Sequence, residues 1–339
     1  MRLKALMAAA AASVVLAACG GTTDAPATDQ GGAGEEIRFA MILPGPVSDA
    51  DYNAAGKQAV EAVAESLGAE ATFSENVAVV DAERVARDYL ARGFDTIDFH
   101  GAQYTSIAAG LAPQFPEQQF IVEGAGEVPD LPPNVYTLAR TYVPGFYIIG
   151  QLAAEASETG VVGYVAGLKI PDFIGGLNAM YEGAKSVRSD IKVVHSFTGD
   201  QNDAVKGRQA TQALIDQKAD VIVITLAGGL SGAVEAIRQA PSKVLFTGLH
   251  TDKTNLAPDN FLASMLFDYA KSFPEALGEI ADGKANGFML MTPENGGVKF
   301  TEASNVSDET AAMFADAVKK AEAGSLDMPE IDPMNVDVP

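Results

Sequence analysis

Six short segments of this 339-residue chain collect the residues that could bind a small molecule. Each combines glycine with polar, acidic or aromatic side chains, and each follows a short apolar run. They are "PVSDADYN" (46–53), "HGAQY" (100–104), "LKIPDF" (168–173), "TGDQND" (198–203), "LAGG" (226–229) and "LHTD" (249–252). Aromatic rings offer stacking faces, and amides and carboxylates offer hydrogen-bond donors and acceptors. The six segments therefore indicate a binding site.

These segments match no catalytic template. The three histidines, His100, His195 and His250, lie at no metal-ligand spacing. The sequence has neither a Gly-x-Ser-x-Gly elbow nor a Walker A loop, and "GAGEVPD" (124–130) lacks the glycine spacing of a dinucleotide site. We therefore predict a protein that is not an enzyme and that uses no metal or cofactor.

The elements that hold the segments are alternating strands and helices. Apolar runs such as "IRFAMILPG" (37–45) predict buried strands, and segments of helical period such as "AAGKQAVEAVAESLG" (54–68) lie between them. About eight strands form two series with a break near 139–145. This alternation predicts an α/β protein with two doubly wound parallel-sheet lobes joined by a hinge. Ligands of such sheets bind beyond the carboxyl ends of the strands, where the six segments lie.

The predicted domain organisation has five parts. They are a signal peptide (1–18), a flexible linker (19–36), an N-terminal lobe (37–140 plus about 253–285), a C-terminal lobe (141–252 plus about 286–325) and an acidic tail (326–339). The tail has three prolines and no period, so we expect a loosely ordered strap on the surface.

The amino terminus indicates a lipid anchor. Arg2 and Lys4 precede an apolar run from Ala5 to Ala18, which is typical of a signal peptide. Leu16-Ala17-Ala18-Cys19 resembles the bacterial lipobox, and Cys19 is the only cysteine of the chain. The resemblance implies cleavage before Cys19 and acylation of its sulfur. We therefore expect a lipid-anchored, extracytoplasmic protein on a cell membrane.

Net charge excludes one class of partner. The formal charge of the chain is −22, and removal of Arg2 and Lys4 with the signal peptide would make it −24. Such a surface repels nucleic acid, so we expect no DNA or RNA partner. After the signal peptide, no apolar run reaches the ~18 residues that a membrane-spanning helix needs.

Five motifs in order resemble the basic-membrane-protein family, the purine-nucleoside-receptor type of ABC-transporter substrate-binding lipoprotein. "SDADYN" resembles the Asp-x-Gly-(Phe/Trp)-Asn opening of that family. The others are "VVGYVAGLKIPDFIGGLNAMYEGAK" (161–185), "FTGDQNDAVKGRQATQALIDQKADVIVITLAGG" (197–229), "TGLHTDKTNLAP" (247–258) and "ASMLFDYAKSF" (263–273). The resemblance covers about residues 37–300 and implies a type I periplasmic-binding fold, whose lobes close on a nucleoside or nucleobase.

The resemblance also implies roles for single residues. Tyr52 falls on the aromatic position that stacks on the base, while Asp49 and Asn53 fall on positions that hydrogen-bond the edge of the base. An ordinary loop and helix cap would explain the same three residues. Further candidates for ligand contact are His100, Tyr104, Phe173, Asp203, Gly228, Gly229, His250, Asp252 and Phe267. Asp203 is also a good N-cap for the helix that follows it.

Three departures from the family pattern bear on the ligand. His250 replaces the first Asp of the loop that reaches a ribose, Phe267 replaces a lysine, and Asp51 stands where Gly is usual. Loss of the Asp and the Lys removes two charge-assisted partners for a sugar. We therefore expect a purine base or a related heterocycle, with a nucleoside as the second choice.

Other functions remain open at this stage. A sugar-binding receptor or a signalling receptor of the same fold would share these features. An anchored nucleoside-processing enzyme would use the clustered acids Asp49, Asp51, Asp200 and Asp203 around a metal. The expected partners are a small-molecule solute and an ABC permease in the membrane, and we expect the protein to be a monomer.

Overall fold

The computed structural model describes residues 37–124, 126–336 and 338. The predicted signal peptide, the linker and Cys19 lie outside this part of the chain.

The first sheet takes the amino-terminal half of the described chain. Its strands follow one another along the sequence, separated by helices or loops, and all pair in parallel. In chain order the elements are β1 (Arg38–Ile42), α1 (Tyr52–Leu67), β2 (Glu70–Ser74), α2 (Val79–Ala91), β3 (Thr96–His100), α3 (Thr105–Leu111), β4 (Gln119–Glu123) and β5 (Val135–Arg140). β3 is buried along its whole length, as expected for a central strand covered by helices on both faces.

The second sheet repeats this plan. Its elements are α4 (Val143–Ala156), β6 (Val161–Ala166), α5 (Pro171–Val187), β7 (Lys192–Phe197), α6 (Ala204–Asp216), β8 (Val221–Thr225), α7 (Leu230–Arg238), β9 (Leu245–His250) and β10 (Phe261–Phe267). The predicted α/β fold with two parallel-sheet lobes is confirmed. Asp203 caps α6, because its Oδ1 accepts hydrogen bonds from the backbone N–H groups of Val205 and Lys206.

The last part of the chain passes back and forth between the sheets. It consists of α8 (Tyr269–Ala281), β11 (Phe288–Met291), β12 (Val298–Phe300) and α9 (Asp308–Glu322). The strand orders are β11-β5-β4-β3-β1-β2 and β12-β10-β9-β8-β6-β7, and only β12 pairs antiparallel among the described strands. α8 packs on α1, and α9 packs on α4. We call the first sheet with α1, α2, α3 and α8 the first lobe, and the second sheet with its helices the second lobe.

The predicted lobe boundaries after residue 252 are wrong in two places. The segment 253–285 was assigned to the first lobe, but β10 pairs with β9 in the second sheet. The segment 286–325 was assigned to the second lobe, but β11 pairs with β5 in the first sheet. Both errors concern which distant strand is the neighbour, which the apolar period of a strand does not encode.

The described residues form three apolar clusters. One cluster spans the molecule, because it includes Phe39 and Met41 of the first sheet as well as Tyr164 and Val223 of the second. The other two clusters lie under α2 and α3 in the first lobe and under α6 and α7 in the second. The inner faces of both sheets therefore share one core.

α4 and α5 pack closely against each other. A Cβ added at Gly150 would lie 2.0 Å from the Met180 carbonyl oxygen, and one at Gly183 would lie 2.0 Å from that of Tyr147. Only glycine allows the two helices to come this close. The tail also packs on α5, since Asn178 Nδ2 donates to the carbonyls of Asp332 and Asn335 at 2.8 and 2.7 Å. Residues 326–336 contain no helix or strand.

Candidate ligand-binding site

A cavity of about 760 Å³ lies at the carboxyl ends of the strands of both sheets. Residues after β1, β2, β3, β4 and β5 form one side, which we call the first wall. Residues after β6, β7, β8 and β9 form the opposite side, the second wall. Six predicted site residues line it, namely Asp49, Tyr52, Asn53, Phe173, Gly228 and His250. The volume is within the usual range for a small-molecule site.

On the first wall, Asp49 stabilises the start of α1. Its two carboxylate oxygens accept hydrogen bonds from the backbone N–H groups of Asp51, Asn53 and Ala54 and from Asn53 Nδ2, at 2.7–3.0 Å. Asn53 Oδ1 in turn accepts from the Gly45 N–H at 2.9 Å. Most of the hydrogen-bonding capacity of Asp49 and Asn53 is therefore used within the protein, and their predicted contacts with a base stay predictions.

Tyr52 is held by three neighbours. The ring of His100 stacks on it with centroids 4.2 Å apart and an interplanar angle of 23°. The Arg140 guanidinium carbon lies 5.0 Å from the centroid of the Tyr52 ring. The Tyr52 hydroxyl donates a short hydrogen bond to Glu123 Oε2. Because His100 covers one ring face, at most one face remains for the predicted stacking on a base.

A buried charge network lies behind Tyr52. Glu123 Oε1 lies 3.1 Å from Arg140 Nε and accepts a 2.8 Å hydrogen bond from the Tyr269 hydroxyl. The same Tyr269 hydroxyl accepts a hydrogen bond from Arg140 Nη1. Burial alone would raise the pKa of Glu123, but Arg140, His100 and the two tyrosine hydroxyls hold that pKa below its ordinary value. The network is therefore an ion pair with matched charges.

Asp98 and His100 complete this buried region. Both side chains are fully buried, and His100 Nδ1 lies 3.8 Å from Asp98 Oδ2. Burial lowers the pKa of His100 to about 4. Burial, followed by the charge of Glu123, raises the pKa of Asp98 well above its ordinary value. Neither carboxyl oxygen of Asp98 has a hydrogen-bond partner within the described residues.

A second buried ion pair connects the two lobes. Lys253 Nζ, after β9, lies 2.9 Å from Asp51 Oδ1 before α1, and each side chain is only 2% exposed. His250 Nδ1 lies 3.3 Å from the same oxygen. Burial would raise the pKa of Asp51, but His250 and Lys253 hold that pKa below its ordinary value. We call Asp51, His250 and Lys253 the clasp.

The second wall presents rings and polar groups with fewer partners. Phe173 of this wall meets Tyr142 of the first wall edge to face, with centroids 6.1 Å apart. Asp172, in the first turn of α5, is exposed and has no hydrogen bond or ion pair to another described residue. Gln201 Oε1 is buried and likewise has no partner in that part of the chain. Partial desolvation raises the pKa of Asp172 although its side chain remains exposed, and the charge of Arg140 opposes that rise.

Six predicted site residues lie outside the cavity lining. Tyr104 is fully buried, and its hydroxyl donates to the Val77 carbonyl at 2.6 Å, so the prediction that it faces the cleft is wrong. His100 and Phe267 are also buried and lie one layer behind, against the rings of Tyr52 and Tyr142 respectively.

The other three residues shape loops around the cavity. Asp203 caps α6, and Asp252 accepts hydrogen bonds from the backbone N–H and hydroxyl of Thr254. Gly229 precedes α7, and its N–H donates to the Gln201 carbonyl at 3.0 Å. A Cβ at Gly228 would lie 3.0 Å from the Asn202 carbonyl oxygen, so this lining glycine is needed for close approach of two loops.

Sequence reasoning missed the charged residues that matter most here. Arg140 is the last residue of β5, Tyr142 directly precedes α4, and Glu123 is the last residue of β4, a strand with no other sign of function. Asp172 lies beside the predicted Phe173 in a segment already recognised as polar. Its position directly after Pro171 at a helix start was the available signal.

No group of histidine, cysteine and acidic residues in the described ranges could hold a metal ion. The acids Asp49, Asp51, Asp200 and Asp203, which suggested a metal-dependent enzyme, therefore form no such group. Across the same ranges, no helix has both the length and the apolar character that crossing a membrane requires.

Known proteins with similar sequences include a purine-binding protein and a basic membrane protein. The chain is 27% identical over 297 residues to a purine-binding protein of Brucella abortus, covering 86% of this chain and 83% of the relative. It is 26% identical to basic membrane protein A of Borreliella burgdorferi, with 77% and 75% covered. It is 28% identical to a putative ABC-transporter glucose-binding protein of Haloferax volcanii, with 77% and 66% covered.

Solved structures with the same fold include solute-binding proteins. An ABC-transporter solute-binding protein of Conexibacter woesei superposes with a TM-score of 0.72 at 23% identity, covering 88% of this chain and all of the other. One from Aeropyrum pernix gives 0.70 at 20% identity, with 89% and 84% covered. The family model described as "ABC transporter substrate-binding protein PnrA-like" matches residues 37–332. The chain therefore belongs to the PnrA-like family of ABC-transporter substrate-binding proteins.

Proposed function

We propose that this protein is the lipid-anchored, extracytoplasmic receptor of an ABC importer and that it captures a purine base, with a nucleoside as the second choice. It binds its ligand without turning it over and hands the closed complex to a permease. The observation that carries this proposal is the cavity between two walls, in which the rings of Tyr142 and Phe173 lie beside the polar groups Asp172 and Gln201. A purine needs this combination of an apolar face and a donor–acceptor rim.

The departures from the family pattern support a base more than a nucleoside. His250 takes part in the clasp with Asp51, and Phe267 packs behind Tyr142, with ring centroids 5.1 Å apart. Neither residue adds a free charged partner for ribose hydroxyls. The purine-binding relative from Brucella abortus supports the same ligand class.

Closure of the lobes is the proposed mechanism of capture. A ligand that contacts both walls favours the closed form by the free energy of the contacts that exist only there. Contacts beside the clasp support this, since Lys253 Nζ and Thr251 Oγ1 of the second lobe donate hydrogen bonds to the Ala50 carbonyl of the first lobe. A sensing role instead of uptake would use the same closure.

Calorimetric titration of the full chain in detergent tests the ligand class. Adenine, guanine, hypoxanthine, adenosine, guanosine and glucose are added in separate runs, and the ligand is recovered and checked for chemical change. We expect heat with at least one free base, weaker binding of the nucleosides and unchanged ligand. Heat with glucose alone would support a sugar receptor, and a converted nucleoside would support an enzyme.

The lipid anchor has its own test. Cys19 is followed by a segment rich in Gly, Thr and Ala, which would connect the lipid to the folded lobes. Cells expressing the wild type and a Cys19→Ser variant are labelled with a palmitate analogue and fractionated. Label and membrane location should both disappear in the variant. Equal membrane recovery of both proteins would contradict the anchor.

A further inference from the structure

The three carboxylates that line the cavity differ in how much of their hydrogen-bonding capacity is used. Asp49 accepts four hydrogen bonds from the chain around it. Asp51 is paired with Lys253 and His250 in the clasp. Asp172 has no hydrogen bond or ion pair with another described residue, although it lines the cavity beside Phe173. Among these three, Asp172 is therefore the carboxylate available to accept hydrogen bonds from a ligand.

The first wall offers a donor opposite this acceptor. Arg140 lines the cavity at the end of β5 and is 11% exposed. Its Nε lies against Glu123 and its Nη1 donates to Tyr269, whereas its Nη2 makes no hydrogen bond within the described residues. The positive charge of Arg140 is already matched by Glu123. It can therefore donate hydrogen bonds to a neutral acceptor, but it offers little net charge for an anion.

These two groups select among planar heterocycles. Guanine presents N1–H and the N2 amino group as adjacent donors on one edge, and O6 and N7 as adjacent acceptors on another. A carboxylate takes adjacent donors, and a guanidinium serves adjacent acceptors. Adenine presents the bare N1 as an acceptor, which a carboxylate repels, and an amine in place of O6. A phosphate would place negative charge near the unpaired Asp172.

We propose that the ligand is a 6-oxopurine, with guanine preferred, and that Asp172 determines this specificity by accepting hydrogen bonds from N1–H and the N2 amino group while Arg140 donates to O6 and N7. This proposal rests on the proposed purine-binding function and adds the chemical class within it. Phe173, the next residue of the same helical turn, lies where it can contact the plane of the base.

The test compares ligands that differ by one donor. Affinities of the full chain in detergent are measured at pH 7 for guanine, hypoxanthine, 1-methylguanine and adenine. Hypoxanthine lacks the N2 amine and should bind about 10-fold more weakly than guanine. 1-Methylguanine lacks N1–H, adenine presents an acceptor there, and both should bind about 100-fold more weakly.

The variant Asp172→Asn keeps the shape of the side chain and removes its charge. It should weaken guanine binding about 10- to 100-fold and strengthen adenine binding, because the amide can donate to adenine N1 where the carboxylate repels it. Asp308→Asn is the matched control, because Asp308 is an exposed acid in the first turn of α9 and lies outside the cavity lining. The control should bind all four ligands as the wild type does.

Each outcome separates the two proposals. Equal binding of adenine and guanine, or an equal loss for both in Asp172→Asn, overturns the role of Asp172 and leaves purine binding in place. No heat from any purine overturns the proposed function itself. If Asp172→Asn fails to fold, the ligand series on the wild-type chain decides the question without it.

Discussion

On the first wall and behind it, most polar side chains bind one another, with Asp98 as an exception, whereas on the second wall Asp172 and Gln201 have no partner in the described part of the chain. Glu123 receives hydrogen bonds from two tyrosines and lies against Arg140. Asp172 and the Gln201 side-chain oxygen, by contrast, make no such contacts. A buried polar atom without a partner, such as Gln201 Oε1, is costly unless a ligand supplies that partner. The comparison suggests a rigid first wall and a second wall that reads the ligand.

This difference leads to separate expectations for stability and affinity. A substitution in the buried network should change the free energy of unfolding more than ligand binding. A substitution on the second wall should do the opposite, because its side chains contribute little to the fold.

Glu123→Gln should have the largest effect. It leaves the buried Arg140 guanidinium without its counter-charge, so we expect the free energy of unfolding to fall by about 3–5 kcal/mol. Denaturant unfolding at pH 7 measures this. Glu235→Gln is the control, because Glu235 Oε1 lies 3.9 Å from Arg208 Nη1 in an exposed ion pair. It should leave the free energy of unfolding nearly unchanged. If both variants lost equally little, the first wall would not depend on its ion pair.

Breaking the clasp should be the next largest effect. Lys253→Met leaves the Asp51 carboxylate buried, and we expect a loss of about 3 kcal/mol, with His250 as the remaining neighbour of that carboxylate. The double variant Asp51→Asn with Lys253→Met should recover more than half of the loss, because no unpaired charge remains. Additive losses from the two substitutions, measured in the same unfolding assay, would show that the pair is not coupled.

Asp98→Asn should remove one source of the pH dependence of the free energy of unfolding. Burial raises the pKa of Asp98 in the folded state, so the folded protein keeps a proton that the unfolded chain releases above about pH 3.8. The contribution of Asp98 to the free energy of unfolding of the wild type is therefore fully present below that pH. It is lost as the pH rises towards the pKa of Asp98 in the folded protein. The asparagine variant has no such loss.

The measured quantity is the difference in unfolding free energy between Asp98→Asn and the wild type. It should shift in favour of the variant by about 1.4 kcal/mol per pH unit above pH 4, until Asp98 ionises in the folded protein. Asp190→Asn, at a side chain that is 81% exposed, serves as the control for loss of one carboxylate. A difference that stayed constant with pH would mean that Asp98 is ionised in the folded state.

Gln201→Ala should have the smallest effect, and it should be on affinity. The Gln201 side chain makes no hydrogen bond within the described residues, so its removal should change the unfolding free energy by less than about 0.5 kcal/mol. If it binds the ligand, the affinity should fall by about 1 kcal/mol, or roughly fivefold. Calorimetry with the tightest-binding base checks this. A lower free energy of unfolding with unchanged affinity would show instead that Gln201 stabilises the fold, as the residues of the first wall do.

Local patterns predicted much of the fold and part of the cavity. The alternation of strands and helices, the N-cap at Asp203 and the polar loops after the strands are all encoded within a few residues of one another. The assignment of the segments after residue 252 to lobes was wrong because β10 and β11 belong to different sheets, which no local pattern in these segments indicates. Tyr104 shows the same limit, since nothing in "HGAQY" indicates that its ring lies in the core.

The sequence by itself determined the α/β class, the family and the loops that surround the ligand, because each depends on short-range periodicity and ordered motifs. The tertiary structure decided which polar groups in those loops are already paired. Glu123 meets Tyr269 across 146 residues, and Asp51 meets Lys253 across 202. Such contacts arise only when distant strand ends converge in space, so only the folded chain shows that Asp172 is left for the ligand.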